Sequence, residues 1–207
     1  MRDTGDNRPA RMPVSKLFSE RLIVINGLDW KGFEEWIFYS AMLFGSRSKW
    51  WGDRGERDSR HEGLDFYLYR TGDGDIQYLD AETKIPVIFS GRVAKVSKDF
   101  LGESVFVSHN VYNLNGSRLY TIYGHVRPHS RIRPGEGLSA GGVIGVLAGT
   151  GETNGTVPYH LHISLAWIPD TVPSHELDWQ MMNEQTGIVL LDPLHIIECP
   201  YTIMPGV

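Results

Sequence analysis

Tyr159-His160-Leu161-His162-Ile163-Ser164 sets two histidines, two residues apart, in an apolar run. In an extended strand successive side chains alternate between faces, so His160 and His162 point the same way. Two imidazoles on one face can meet one metal ion, or one can ligate while the other handles protons; two histidines satisfied by ordinary hydrogen bonds are the plainer alternative. Upstream of this stretch the chain reads as more strands. Residues 64–69, 86–89, 91–96, 104–108, 119–123 and 143–148 are short runs rich in β-branched and aromatic residues, separated by turn-forming segments. Strands so close together predict an antiparallel meander. The acidic tip Thr71-Gly72-Asp73-Gly74-Asp75 reads as a hairpin turn, because Lys84 stands where a calcium loop would need its bidentate glutamate.

Working outward, residues 1–15 carry no apolar period and predict a flexible N-terminus. Residues 16–44 read as a helical N-terminal extension. Asp29 caps a helix from about Trp30, with Phe33, Trp36, Ile37, Tyr39, Ala41, Leu43 and Phe44 as its packed residues and Gly45 as its stop. Residues 45–207 form the main domain, with an insertion at about 169–188 and a closing strand or turn at 190–197.

With 41% hydrophobic and 11% aromatic residues the 207-residue chain can bury a full core. A formal charge of -5 argues against a phosphate-binding surface as the main business, so no nucleic-acid partner is expected. No apolar segment is long enough for a membrane helix. The run Leu22-Ile23-Val24-Ile25 is too short for a signal-peptide core, which leaves export by another route, a leader removed before this numbering, or residence inside the cell. The single cysteine, Cys199, can form neither an intrachain disulfide nor a thiolate cluster, so a metal site must be built from His, Asp and Glu.

The upstream partner for such a site is His61-Glu62-Gly63-Leu64-Asp65. Imidazole and carboxylate are both zinc ligands, but four extended residues would hold them about 13 Å apart. The segment must therefore bend, and Gly63 permits it. Adding His162 yields two histidines and one aspartate, three protein ligands with one position left open, the pattern of a catalytic zinc. Glu62 invites an H-E-x-x-H helix reading, with Glu62 as general base, but Asp65 replaces the second histidine and the flanks favour strand over helix. For proton transfer His160 and the strand-end Tyr123-Gly124-His125 are the candidates. His109, His129, His175 and His195 have no spaced partners and read as surface or core residues, with His109 a possible neighbour of the site.

These motifs together, His61 with Asp65, Tyr123 with His125, and His160 with His162, resemble the lysostaphin-type (LytM-like) zinc endopeptidases of bacterial cell walls over about residues 45–195. The resemblance implies His61, Asp65 and His162 as metal ligands for one Zn2+, and His125 and His160 as catalytic residues. It implies an antiparallel sheet that holds the metal in a groove, and with the strand and helix readings above the fold class is mainly β (α+β), with an N-terminal helix and short peripheral helices. It further implies a peptidoglycan peptide as substrate and a place in the cell envelope or outside the cell. The chain departs from the family pattern in residues 151–157 before the H-x-H, in lacking a tyrosine between Trp50 and Arg60, and in the extra residues 169–188. The alternatives are a non-catalytic domain that binds wall peptides or regulates another hydrolase, and an intracellular metalloprotease acting on other peptides.

Overall fold

The computed structural model describes residues 12–99, 102–149, 157–184 and 187–205. In chain order its elements are α1 (Leu17–Ile25), β1 (Phe33–Tyr39), β2 (Leu64–Phe66), β3 (Leu68–Thr71), β4 (Ile76–Tyr78), β5 (Lys84–Pro86), β6 (Gly91–Lys98), β7 (Glu103–Tyr112) and β8 (Ser117–Pro128). There follow β9 (Gly137–Leu138), β10 (Val143–Leu147), β11 (Leu161–Pro169), α2 (Trp179–Glu184), β12 (Val189–Leu191) and β13 (Tyr201–Met204). Residues 1–11 of the predicted flexible N-terminus, and residues 150–156 before the H-x-H, lie outside the described residues.

Among the described residues one sheet runs β12-β11-β8-β7-β6-β9, with β2 added beside β11 and β10 linking β5 to β8; a second runs β13-β1-β3-β4. The successive pairs β6–β7 and β7–β8 are antiparallel, as the meander predicts. The tip at residues 71–75 is the predicted hairpin, joining β3 to β4. The fold is mainly β, and among the described residues the named strands pair antiparallel except for the parallel β1–β13 pair.

The predicted helix from Trp30 to Phe44 is corrected. Residues 33–39 are a strand between β3 and β13, and the helix of this region is Leu17–Ile25 instead. Trp36, Ile37 and Phe38 are all fully buried, so both faces of β1 are covered; this produced the dense apolar run that reads as helix. Trp36 lies edge-on to Phe66 at 5.1 Å and donates its indole N–H to Ser19 Oγ of α1.

The period-two alternation of β11 positions the site. Leu161, Ile163, Leu165 and Trp167 enter the large core shared with Trp36, Phe66 and Tyr123. On the opposite face Ala166 and Ile168 join Tyr120 and Ile122 beneath Leu177 and Met182, so the 169–188 excursion roofs that face. His162 and Ser164 share it with Ala166 by the same alternation. Where the roof ends, the groove begins.

His109 is buried in the sheet, its Nδ1–H donating to Ser90 O and its Nε2 accepting from Thr121 Oγ1. It is not part of the histidine cluster. Burial pushes its pKa down, opposed in part by the Ser90 carbonyl. The folded state therefore holds His109 neutral, while the unfolded chain protonates it near pH 6.5. Its contribution to stability is complete above that pH and is lost as pH falls below it, by at most about 1.4 kcal/mol per pH unit. Thermal melts of His109→Gln between pH 7.5 and 5.5 are expected to show a smaller acid-induced drop in Tm than the unaltered protein; an equal drop would contradict this.

Candidate metal centre

Strand β11 lies between β2 and β8, with His162 opposite Asp65 on one side and opposite Gly124 on the other. Pairing register thus assembles residues separated by 97 positions, because directly opposed side chains on one face are neighbours. His61 enters from the loop before β2, held by its N–H donating to Ser46 O and by its carbonyl accepting from Gly45 N–H. The backbone freedom expected of Gly63 is not used, since its φ lies outside the left-handed region. A Cβ there would lie 2.1 Å from the carbonyl oxygen of Ile163, so the residue is glycine because β11 passes against its backbone. Strand β2, starting at Leu64, also excludes an H-E-x-x-H helix, and Glu62 instead lines the rim of the cleft.

His61, Asp65 and His162 are all buried and present one ligand atom each to a common point. His61 Nε2 and His162 Nδ1 stand 3.1 and 2.9 Å from Asp65 Oδ1, and 3.1 Å from each other. His61 Nδ1 faces Leu43 O at 3.0 Å, and since a carbonyl only accepts, that nitrogen carries the proton. In the neutral ring, Nε2 then offers a lone pair toward a carboxylate oxygen. His162 is oriented likewise, its Nε2 being 2.9 Å from Ser164 Oγ. A single proton can bridge one of these contacts, whereas a cation satisfies all three. The donors are also within a few tenths of an ångström of the spacing that bonds of about 2.0–2.2 Å to one zinc impose, and ring nitrogens anchored from behind are the usual support for metal ligands. The donor set therefore fits a borderline divalent ion.

Electrostatics agree. Burial alone would raise the Asp65 carboxyl, but the surrounding histidines, His61 foremost, outweigh it and hold the group well below the carboxylate range. Burial pushes His162 down against the pull of Asp65. His160 is pushed down by burial to about 3, opposed by Asp65, so its ring is neutral at ordinary pH.

His160 precedes β11, and its Nδ1–H donates to Pro158 O, leaving Nε2 facing the cluster 3.8 Å from Asp65 Oδ1. Its ring is 4.8 Å from that of His125. His125 adopts φ 61, the left-handed region that a residue with a side chain occupies at a cost of about 1–3 kcal/mol. Its peptide is pinned on both sides, the N–H donating to Asp99 Oδ2 and the carbonyl accepting from Ala148 N–H. Asp99 Oδ2 is also 3.3 Å from His125 Nδ1. All five residues line one open cleft of about 370 Å³.

Several contributors went unrecognised in the sequence. Trp179 of the 169–188 excursion lies edge-on to His162 at 5.1 Å and donates to Ser104 Oγ, making the excursion a wall of the cleft. Trp50 reaches the site as well, its indole N–H donating to Asp65 Oδ2 at 2.7 Å. Asp99 and Arg57 also face the cleft. Tyr123 belongs to the tyrosine-x-histidine motif but is fully buried, its hydroxyl oxygen accepting from Ile88 N–H at 2.8 Å. Tyr123→Phe is expected to cost about 1–2 kcal/mol in denaturant unfolding by orphaning that N–H, with metal content unchanged. Cys199 packs beside the core with its thiol pushed up to about 12 by burial, consistent with a packing role.

The sequence profile described as peptidase family M23 matches residues 60–173, more than half of the chain and all five residues above. The chain belongs to peptidase family M23. Among curated proteins nothing matches. Among the solved structures that resemble this M23 chain are these three. They are the SpoIIQ–SpoIIIAH pore-forming complex (19% identity, 83% of this chain and 88% of that one, TM-score 0.43) and lysostaphin (16%, 76% and 48%, 0.43). The third is a variant catalytic domain of the prophage-encoded M23 protein EnpA from Enterococcus faecalis (24%, 61% and 81%, 0.37). Among the described residues no helix of this M23 member is long and apolar enough to cross a membrane.

Proposed function

We propose that this chain is a zinc-dependent endopeptidase that hydrolyses amide bonds in the peptides of peptidoglycan. In this reading His61, Asp65 and His162 hold the metal, and His125 and His160 serve the reaction. The observation that carries it is the convergence of three buried ligand atoms within about 3 Å of one another, on the wall of an open cleft that two further histidines face. Zinc bound there would activate water and polarise the scissile carbonyl. His160, neutral and with Nε2 turned inward, receives a proton; its fixed Nδ1–H···O=C bond keeps that nitrogen available. His125, pinned by Asp99, offers a donor to the oxygen that gains charge as the carbonyl is attacked. The cleft's open side admits an extended peptide, and such a substrate places the protein in the cell envelope or outside the cell.

His160→Ala separates catalysis from binding. The variant is expected to retain metal while peptide release from purified peptidoglycan falls by about 10²–10⁴-fold. Sedimentation with peptidoglycan that is equal for both proteins, with no release by either, would replace the enzyme reading with a wall-binding one.

A further inference from the structure

The second oxygen of Asp65 is held as firmly as the first. While Oδ1 faces His61 and His162, Oδ2 accepts the Trp50 indole N–H at 2.7 Å and lies 3.6 Å from the Arg57 guanidinium. Both donors come from one internally bonded loop. Ser48 bridges Glu56, Lys49 N–H donates to Gly55 O, and Arg57 donates through Nε to Ser48 O and through Nη2 to Ala41 O. Trp50 is wedged from two further directions, stacked on Tyr67 at 5.1 Å and edge-on to His160 at the same distance. An indole gripped this way has little freedom to follow a moving carboxylate, so the carboxylate is oriented by it.

We propose that Trp50, assisted by Arg57, is a positioning residue that fixes the Asp65 carboxylate with Oδ1 turned to the metal, and that one side chain thereby sets both a ligand and the placement of His160. The indole N–H occupies Oδ2, which confines Asp65 to a single ligating oxygen, and the Arg57 guanidinium, 3.6 Å away, lies on the same side of the carboxylate. This rests on the metal reading above. It assigns the loop at residues 46–60 a role in building the centre.

The test is Trp50→Phe, which keeps a ring against Tyr67 and His160 but removes the N–H. Zinc affinity is measured by competition with a chromophoric chelator, and the metal-free Tm is recorded alongside. Zinc affinity is expected to fall by about 10–100-fold, the usual effect of losing a hydrogen bond behind a ligand, with the metal-free Tm within a few degrees of the unaltered protein. Arg57→Met should weaken zinc by a smaller factor. Affinity within about twofold in Trp50→Phe would overturn the proposal, whereas absence of zinc binding by the unaltered protein would overturn the metal reading itself. If Trp50→Phe does not fold, the unaltered protein decides: the Trp50 indole N–H should exchange slowly and its resonance should move on zinc addition, and exchange at the rate of a free indole would refute the bond.

Discussion

His162→Ala is expected to eliminate both metal retention and peptide hydrolysis while leaving the sheet intact. His162 supplies one of three converging ligand atoms, and its partners approach it at 2.9 and 3.1 Å. Zinc bound to protein ligands is worth about 10–16 kcal/mol in apparent free energy, so loss of one protein ligand of three costs about 3–5 kcal/mol, or about 10²–10⁴-fold in affinity. The remaining pair, His61 and Asp65, would still be anchored by the Leu43 carbonyl and by Trp50, so the defect lies in the centre and not in the loop. Circular dichroism should be unchanged, dialysed protein should be metal-free, and new amino groups should not appear in a peptidoglycan digest. Activity equal to that of the unaltered protein would remove His162 from the proposed ligand set.

Gly63→Ala carries the largest expected cost to stability. The added Cβ would sit 2.1 Å from Ile163 O and 2.7 Å from Ser164 Oγ. A backbone oxygen cannot swing aside as a side chain can, so β2 and β11 must separate at the pair that brings Asp65 beside His162. Overpacking of this kind costs about 1–3 kcal/mol and sometimes more, and the contact with backbone places this case at about 3 kcal/mol. Denaturant unfolding should show that loss together with weaker zinc binding, since the same displacement pulls the ligands apart. Stability within about 0.5 kcal/mol would mean that the strands do not approach as described.

The two variants differ in what the sequence discloses. That two histidines of an H-x-H face a histidine and an aspartate follows from ligand chemistry and a strand's period, because β11 is flanked by β2 and β8. The meander was legible because its strands are local and alternate. Strand β1 was not: its partners β3 and β13 lie far along the chain, and with both faces buried its apolar residues lose the alternation that marks a strand. The sequence reads Gly63 as a source of backbone freedom for the bend, whereas its backbone angle is ordinary and it is glycine because β11 lies against it, which one segment cannot show. Trp50, Arg57, Asp99 and Trp179 act through contacts between segments, so no spacing rule points to them. The roof over Ala166 and Ile168 explains why residues 169–188 look like an excursion in sequence yet form a wall in space.

The central claim is that the His61–Asp65–His162 cluster holds a metal ion that the flanking histidines use to cleave wall peptides. Purified protein, loaded with zinc and dialysed, can be analysed for metal while the same preparation digests purified peptidoglycan, with and without a chelator. The account predicts one zinc per chain and new amino groups that vanish on chelation and return with added zinc. Stoichiometric zinc with no released peptide, or release that persists in the metal-free protein, would contradict it.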